Sequence, residues 1–483
     1  MPRKKTKPPT CEGYLPRGLR ATELHDLCHG LPFDADRIVV FFKFLYNRTR
    51  GISDGRINAD AFVQMHWQHM EELFSANKIK AYRDFMVEHE LIEVQNAHAF
   101  SKTSTRYRVH PRCTRPLDLF DFSAPAYTRV AVTSPRAIRA NQAYKQFKFE
   151  EMLSRLPAPY NVLAPLMRHI EVVNDAPEAR AILDALHNNP KYKDKYEFDA
   201  QLEAIKSRET EYYFACNFGR RFHSQYTSLK KELRQLLRFP GCNEVMAELD
   251  IVNSQPWITS IVDEALVKKY VPEAYEEVKH ILNSAYTKAA DFNAYRLLCA
   301  NGTVYERWME LLVEHIGDDW RAQIIALDAE YNYEDSDAQD VEIDDRSLSK
   351  ILFFRVIFAK QEGTVMKNGK TAKLPENFSI LNDAFKAEWP SVWQFFAAIK
   401  KTRLTCNNSK KEGAHSNLAL LMQRIESSIM QAFLIKCLEN GINDIVPIYD
   451  GALVKQADLA FAKELFLEVV QESGAQTEPR VKG

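Results

Sequence analysis

The most informative part of the sequence is residues 346–358, which read RSLSKILFFRVIF. If this stretch is helical, four side chains recur at a spacing of four and lie along one face: Arg346, Lys350, Phe354 and Phe358. Two cations followed by two aromatic rings can hold a triphosphate and then stack the attached base and sugar. A core helix whose polar end reaches the surface gives the same pattern, and periodicity alone favours that second interpretation.

Upstream, residues 245–252 read VMAELDIV, a mostly apolar run that predicts a buried strand with Asp250 near its end. A carboxylate at a strand end, beside a turn, is well placed to bind a hard cation such as Mg²⁺. The alternative is that Asp250 caps the helix that follows.

Downstream, residues 445–454 read IVPIYDGALV, two apolar segments around a Tyr-Asp-Gly turn. This pattern predicts a β-hairpin with Asp450 at its tip. Asp-Gly is also a strong hairpin turn signal in its own right, so a purely structural role for Asp450 stays open.

The composition is that of a folded protein with several domains. The chain has 483 residues, 46% of them apolar and 27% charged, and a formal charge of −1. A length of about 100–200 residues per domain gives roughly two to four domains. The 16 glycines are about half of the average share, which favours a mainly helical α+β fold. Because the net charge is near zero, nucleic-acid binding would need a local patch.

Several classes of protein are disfavoured at this stage. The apolar runs fall short of the roughly 18 residues that span a bilayer, so we expect no membrane partner. The basic N-terminus leads into Pro8 and Pro9 without an apolar segment, which is not a secretory signal. His25, Cys28 and His29 lie close together, but no second pair completes a zinc site. We therefore expect reduced thiols in the cytoplasm, or in the host cytoplasm if the protein is virus-encoded.

Residues 31–115 have the pattern of a winged-helix-like module. Three helical segments precede two strands around a polar loop: 37–46, 59–74, 80–89, 91–94 and 106–109. The loop at 95–105 would be the wing, and Lys102, Arg106 and Arg108 give it positive charge that can meet phosphates. Many modules of this order bind protein or merely pack, and that alternative stays open.

Residues 219–238 form a local basic patch. Six cations stand against one acid, Glu232, a local excess of +5, and the six are Arg220, Arg221, Lys230, Lys231, Arg234 and Arg238. With Phe222 and Tyr226 between them, these cations suit a nucleic-acid backbone with stacked bases. A solvated helix face would explain residues 230–238 equally well.

In order and residue type, the three quoted stretches resemble motifs A, B and C of single-subunit palm polymerases. These are the Pol I type (family A) DNA polymerases and the single-subunit phage and mitochondrial RNA polymerases. The Asp of motif A would be Asp250, and that of motif C would be Asp450. Residues 346–358 match the Arg, Lys and aromatic spacing of motif B without a gap. The resemblance covers residues 217–454, about half of the chain.

This resemblance implies a two-metal phosphoryl transfer. Asp250 and Asp450 would bind two Mg²⁺ ions, for which Mn²⁺ can substitute. Arg346 and Lys350 would neutralise the triphosphate, and Lys350 would also protonate the leaving group. The catalytic residues would then be Asp250, Asp450 and Lys350.

The resemblance also implies the binding residues. The incoming nucleotide would contact Arg346, Lys350, Phe354, Phe358, Gln255 and Ser254. The template and primer would contact Arg220, Arg221, His223, Lys230, Lys231, Gln423 and Tyr449. The family's DNA polymerases carry a Glu at the position of Gln255 and its RNA polymerases a Gly, so the bulk of Gln255 favours deoxynucleotides.

The sequence departs from the family's pattern at three places. Tyr449 replaces His, Gly451 replaces Glu or Ser, and Phe358 replaces Tyr. The match is therefore to a divergent branch, and a polymerase fold without activity is an alternative.

We expect a right-hand polymerase with palm, fingers and thumb behind the N-terminal module. The predicted segments are a basic disordered tail, the winged-helix-like module, a linker, a helical thumb-like region, the palm with motif A, the fingers with motif B, and the palm with motif C, at 1–30, 31–115, 116–134, 135–211, 212–265, 266–375 and 376–483. No proofreading exonuclease motif is evident, and such a compact enzyme would suit a virus or mobile element.

The favoured function is a DNA polymerase without proofreading, acting on primer, template and nucleoside triphosphates. A single-subunit RNA polymerase or primase is the alternative within this class. From another class, a non-catalytic replication initiator or regulator would bind DNA through its winged helix and use the C-terminal half as a scaffold.

Overall fold

The structure is a computed structural model, and the chain is mainly helical with several small antiparallel sheets. It describes residues 10–50, 62–95, 105–114, 127–173, 177–189, 198–208, 211–330, 344–359, 364–367, 370–373, 376–407 and 414–483. The chain divides into two compact units, Met1–Glu151 and Met152–Gly483. The mainly helical α+β class that the composition favours is thus confirmed.

The first unit contains five described strands and six described helices. In chain order they are β1 (Cys11–Pro16), α1 (Ala21–Cys28), α2 (Ala35–Arg50), β2 (Val63–Gln64), α3 (Trp67–Phe74), α4 (Ile79–Glu88), β3 (Ile92–Gln95), β4 (Arg106–Val109), α5 (Pro111–Thr114), β5 (Tyr127–Val132) and α6 (Pro135–Leu153).

Helix α2 forms the centre of the first unit, because its apolar side chains from Ile38 to Leu45 are almost fully buried. Helices α3 and α4 pack beside it, and the strands pair in the order β2-β4-β3. This order of helices and hairpin follows the expectation except in the segment 59–74, which was expected to be one helix: it contains strand β2, and the helix begins only at Trp67. Residues 96–104 of the wing predicted at 95–105 lie outside the described residues, so the winged helix stays a prediction.

Two segments differ from the expectation of a disordered tail and a linker. Strand β1, within the expected tail at 1–30, pairs antiparallel with β5, within the expected linker at 116–134. The buried Asp36 carboxylate accepts hydrogen bonds from the Thr133 and Ser134 amides, both at 2.7 Å, and so fixes the chain just before α6. The described residues Cys11–Pro16 and Tyr127–Val132 form strands because they pair with each other at long range, which local composition does not reveal.

The second unit contains the remaining described elements. They are α7 (Tyr160–Met167), β6 (Glu171–Val172), α8 (Pro177–His187), α9 (Phe198–Ser207), β7 (Tyr213–Ala215), β8 (Phe222–Ser224), α10 (Lys231–Arg234), β9 (Leu237–Arg238), β10 (Ala247–Ile251), α11 (Ser254–Ile261), α12 (Glu264–Tyr270), α13 (Pro272–Leu282), α14 (Ala290–Asn301), α15 (Val304–Ile316), α16 (Trp320–Glu330), α17 (Asp345–Phe358), β11 (Thr364–Lys367), β12 (Lys370–Lys373), α18 (Glu376–Glu388), α19 (Pro390–Lys401), α20 (Asn417–Glu439), β13 (Ile445–Ile448), β14 (Gly451–Val454), α21 (Leu459–Ser473) and β15 (Val481–Lys482).

A four-stranded antiparallel sheet with the order β13-β14-β10-β15 holds the centre of the second unit. Helix α20 packs against α11, α19 and α21. By length and composition, the segment Ala414–Glu439 could cross a membrane, but 67% of its most apolar window is buried inside the protein. In this structure α20 is therefore a core helix.

Helix α17 spans the RSLSKILFFRVIF stretch and has a side-chain cap at each end. Asp344 accepts a hydrogen bond from the Ser347 amide at 2.9 Å, so the helix begins at Asp345. At the other end, the buried Lys400 ammonium of α19 donates to the carbonyls of Val356 and Ala359 at 3.0 and 2.8 Å. A cation at this end also complements the helix dipole.

We expect the stability of Lys400→Met relative to the wild-type protein to depend on pH. Burial lowers the pKa of Lys400 from 10.5 to about 7. Between these values the unfolded chain binds more protons at this residue than the folded chain. The contribution of Lys400 to the free energy of unfolding therefore rises with pH. In denaturant unfolding between these two pH values, the free energy of unfolding of the wild-type protein should rise with pH relative to that of Lys400→Met.

The matched control is Lys401→Met, which removes an exposed lysine next to the buried one, and its difference from the wild-type protein should change less with pH than that of Lys400→Met. A pH dependence no larger for Lys400→Met than for Lys401→Met would contradict the lowered pKa of Lys400.

Candidate active site

A cavity of about 210 Å³ brings together side chains from the three stretches that the sequence singles out. It is lined by Asp250, Ile251, Val252, Asn253, Ser254, Gln255, Tyr305, Arg346, Lys350, Phe354, Asp450 and Lys482. Residues separated by up to 232 positions, from Asp250 to Lys482, thus face one space. The cavity contains most of the predicted catalytic and nucleotide-binding residues, although Phe358 is not among its lining residues.

The two carboxylates come together because strands β10 and β14 are antiparallel neighbours. In their register Asp250 lies opposite Gly451, so Asp450 is in the turn beside it. Desolvation raises the pKa of Asp450, and the negative charge of Asp250 raises it further. The Ser254 hydroxyl and Arg221 act in the opposite direction. The pair therefore concentrates negative charge that is only partly compensated.

The close approach of these strands explains why a glycine follows Asp450. A Cβ atom at position 451 would lie 2.3 Å from the backbone carbonyl oxygen of Leu249. A side chain at this position would not fit without moving the strand. A glycine is therefore required here for a steric reason, next to the carboxylate of Asp450.

Two residues at the cavity have a left-handed backbone conformation. Asn253, which lines it, has φ of 55°, and Tyr449, next to Asp450, has φ of 46°. Asn253 follows β10 and is held by a hydrogen bond from its Nδ2 to the Gly302 carbonyl at 2.8 Å. Residues in this conformation are costly and are typical of functional sites.

Helix α17 directs its polar end at the carboxylates. Arg346, Lys350 and Phe354 line the cavity, as their spacing of four predicts. Phe358 continues the row and packs on Phe354, with ring centroids 5.8 Å apart. The four side chains therefore do lie on one face of the helix, but the last of them, Phe358, contacts the ring of Phe354 and does not line the cavity.

The two cations of α17 differ in how they are neutralised. Arg346 Nε lies 3.2 Å from Glu306 Oε1 in an exposed ion pair. Lys350 is exposed, and within the described part of the chain no carboxylate lies at ion-pair distance from it; its Nζ is 5.6 Å from the Phe354 ring centroid. Lys350 therefore retains a positive charge that a bound phosphate can meet.

Sequence reasoning missed two residues of the cavity, Lys482 and Tyr305. Lys482 lies opposite Asp250 in the β10–β15 pairing, and its Nζ is 3.2 Å from the Asp250 carboxylate. Tyr305 is buried at the start of α15, with its ring 6.3 Å from that of Phe354. Neither had a sequence signal: β15 is two residues long, and Tyr305 is one aromatic residue of an ordinary amphipathic helix.

Arg221 lies at the rim of the site and is held there by the buried Glu426, which is not among the predicted site residues. Its guanidinium donates to both oxygens of Glu426 at 2.7 and 2.9 Å, and Glu426 is only 2% exposed. Burial raises the pKa of Glu426 to about 7, against the opposing effect of Arg221. The Arg221 guanidinium carbon also lies 5.9 Å from the Tyr449 ring centroid.

The basic patch at 219–238 is partly neutralised in space. Arg220 pairs with Glu273 at 2.7 Å, and Lys231 and Arg234 both pair with Glu248 at 2.6 and 3.1 Å. Its helix is also shorter than expected, since only Lys231–Arg234 is helical and β9 follows. Glu248 and Glu273, which lie outside the segment, therefore offset part of its local excess of positive charge.

The remaining predicted nucleic-acid contacts lie outside the cavity lining. His223 Nδ1 is 3.4 Å from the Tyr449 hydroxyl. Gln423 packs on Gly219, where an added Cβ would lie 2.2 Å from its Oε1 atom. Lys230 is partly exposed next to α10. Their contact with nucleic acid stays a prediction.

Among the described residues, no group of three or more His, Cys, Asp or Glu side chains is arranged to hold a metal ion. The cavity instead offers two carboxylates, Asp250 and Asp450. This is the donor set that Mg²⁺ usually takes from a protein when substrate phosphates and water complete its coordination.

Comparison with known proteins identifies no family. No protein-family model matches the chain, and no curated protein matches it. Among solved structures, the chain matches the POL domain of Pol1 from M. smegmatis in complex with DNA primer-template and dNTP, with 13% sequence identity, coverage of 73% of this chain and 74% of that chain, and a TM-score of 0.33. A TM-score this low does not establish a shared fold.

We expect Asp450→Asn to be more stable than the wild-type protein at neutral pH in metal-free buffer. The raised pKa of Asp450 means that the folded chain keeps a proton where the unfolded chain has lost it, so stability falls as pH rises above the ordinary value of 3.8. Asn removes this loss. The stability difference between the two proteins should therefore grow from acidic to neutral pH in chemical unfolding with EDTA.

The exposed Asp318 provides the control, since Asp318→Asn should leave the pH dependence of unfolding unchanged. If Asp450→Asn is no more stable than the wild-type protein at any pH, the ionised Asp450 carboxylate does not destabilise the folded chain.

Proposed function

We propose that this protein is a template-directed nucleotidyltransferase that adds nucleotides to a 3′-hydroxyl. One observation supports the activity: two carboxylates, Asp250 and Asp450, face two cations, Arg346 and Lys350, across a single cavity. The carboxylates are the costly part of this arrangement, because Asp450 is desolvated beside Asp250, whereas the two cations are exposed. A metal-bound triphosphate carries positive ions for the carboxylates and negative oxygens for the cations.

The residues fit a divalent cation at the carboxylates. Asp250 and Asp450 would hold Mg²⁺, because desolvation, and then the negative charge of Asp250, raise the pKa of Asp450, and a bound cation would offset both effects. When bound, such ions supply positive charge that activates a 3′-hydroxyl and stabilises a pyrophosphate leaving group. Mn²⁺ accepts the same oxygen ligands.

In the proposed reaction the 3′-oxygen forms a bond to the α-phosphorus, and the bond from that phosphorus to the bridging oxygen breaks. Arg346 and Lys350 bind the β- and γ-phosphates and neutralise the charge that develops on the pyrophosphate. Lys350 gives a proton to the leaving oxygen, while the proton of the 3′-hydroxyl passes to water. Lys350 suits this role because no carboxylate among the described residues competes for its ammonium.

The nucleotide would be oriented by the remaining lining residues. Phe354 packs against its base or sugar, and Ser254 and Gln255, at the start of α11, face the same cavity beside Asp250. Gln255 crowds the ribose 2′-hydroxyl, which favours deoxynucleotides. We therefore favour a DNA polymerase over an RNA polymerase or primase.

Primer extension tests the proposal. A labelled primer on DNA and on RNA templates is supplied with Mg²⁺ and with dNTPs or rNTPs in parallel. We expect extension by the wild-type protein, and a loss of at least about 100-fold in rate for Asp250→Asn, Asp450→Asn and Lys350→Ala, because each removes charge stabilisation at the reacting phosphate. Addition of EDTA should abolish extension.

Asp318→Asn, which changes an exposed carboxylate, should extend like the wild-type protein. Folded protein that binds template tightly but extends no primer under any combination would overturn the proposal. It would favour a non-catalytic DNA-binding protein instead.

Sugar selection provides a second prediction. We expect Gln255→Ala to lower the preference for dNTPs over rNTPs by about tenfold, because the smaller side chain makes room for the 2′-hydroxyl. The measurement is the ratio of kcat/KM for the two nucleotides on one primer-template. The exposed Gln471 gives a matched control as Gln471→Ala, and an unchanged ratio for Gln255→Ala would place selection elsewhere.

A further inference from the structure

Two aromatic rings pair across the small hairpin of β7 and β8. Phe214 and His223 are directly opposite each other in the register of these strands. Their ring centroids are 4.8 Å apart and their planes differ by 12°, so the rings are stacked face to face. The cross-strand pairing thus holds two flat rings parallel without help from a ligand.

Phe214 is unusually exposed for a side chain fixed in this way. It is 48% exposed, whereas Tyr213 on the same strand and Phe222 on the paired strand are almost fully buried. A single exposed apolar side chain is common on protein surfaces. Here, however, the hairpin fixes the orientation of the ring, because one face lies on His223 and the opposite face is turned away from it.

A row of aromatic contacts leads from Phe214 to the carboxylates. The His223 ring meets that of Tyr449 edge-on at 5.5 Å, and its Nδ1 lies 3.4 Å from the Tyr449 hydroxyl. Tyr449 directly precedes Asp450 in the turn. Tyr212, two residues before Phe214, has its ring centroid 6.1 Å from that of Phe214 in a tilted arrangement. Two ring contacts thus link Phe214 to Tyr449, the residue next to Asp450.

Positive charge accompanies this row. Arg221, fixed by the buried Glu426, lies over the Tyr449 ring at 5.9 Å. Because both oxygens of Glu426 already pair with this guanidinium, Arg221 acts here by fixing the Tyr449 end of the row. The exposed ring at the other end, Phe214, offers a flat stacking surface that suits any base.

We propose that Phe214, backed by His223, is a stacking platform for an unpaired base of the nucleic-acid strand that runs to the Asp250 and Asp450 cavity. The platform deepens the proposed function and rests on it for the identity of the strand. The base stacks on the outer face of Phe214. Neither residue touches the reacting atoms, so Phe214 positions the strand and takes no part in bond formation.

Binding of an oligonucleotide that carries 2-aminopurine tests the platform, because stacking on a ring quenches the fluorescence of this base. Single-stranded DNA and RNA probes, each with one 2-aminopurine, are titrated with the full chain in EDTA and without nucleotides. We expect quenching by the wild-type protein. Phe214→Ala should lose the quenching and bind about tenfold more weakly, as removal of one stacked base predicts.

Two variants separate stacking from a general loss of structure. Phe214→Tyr keeps the ring and should restore both quenching and affinity. Phe461→Ala removes another exposed phenylalanine, 43% exposed on α21, and should behave like the wild-type protein. Thermal unfolding confirms that each variant is folded.

Phe214→Ala that quenches and binds like the wild-type protein would overturn the platform, as would a wild-type protein that quenches neither probe. The readout needs no catalysis, so it is distinct from the test of the proposed function. Quenching that depends on Phe214 without primer extension would support the platform and remove the polymerase. Primer extension together with unaltered quenching in Phe214→Ala would support the polymerase and rule out the platform.

Discussion

The antiparallel pairing of β10 with β14 is the constraint on which the rest of the site depends. It places Asp250 opposite Gly451 and so brings Asp450 beside it. The two strands approach so closely at this point that the Leu249 carbonyl excludes any Cβ from position 451. A register shift of one residue would turn Asp250 to the other face of the sheet and separate the carboxylates.

The charges around the carboxylates are arranged in two groups. Lys482 contacts Asp250, and Arg221 lowers the pKa of Asp450 from a position fixed by Glu426. These cations offset the carboxylate charge within the folded chain. Lys350 differs, because within the described residues it meets only aromatic rings. Some cations of the site therefore stabilise the folded chain, and Lys350 remains available for a ligand. This division is typical of sites that trade stability for activity.

Local patterns predicted much of this arrangement. The four-residue spacing predicted α17 and its stripe, and the apolar runs around Asp250 and Asp450 predicted β10 and the β13–β14 hairpin. Contacts between distant residues were not predictable in this way. The partly neutralised basic patch is the clearest case, since Glu248 and Glu273 lie beyond the segment whose charge was counted.

The pairing of β1 with β5, 111 to 121 positions apart in its register, failed prediction for the same reason. Composition marked both segments as unstructured, because neither has an apolar periodicity strong enough to stand alone. Lys482 was not predicted either, because its strand has only two residues and so shows no hydrophobic periodicity. The sequence thus predicted the residues that belong to a local periodic pattern. It did not predict residues whose role depends on a partner far away in the chain.

The sheet order also has a consequence for synthesis of the chain. Strand β10 pairs with β14 and β15, and the ribosome makes both about 200 residues or more after Asp250. At about 5–20 residues per second, β10 waits roughly 10–40 s for its first partner. During that time both of its edges are unpaired, and such edges are sites of aggregation. The nascent chain must therefore be protected on the ribosome by its own helices or by a chaperone.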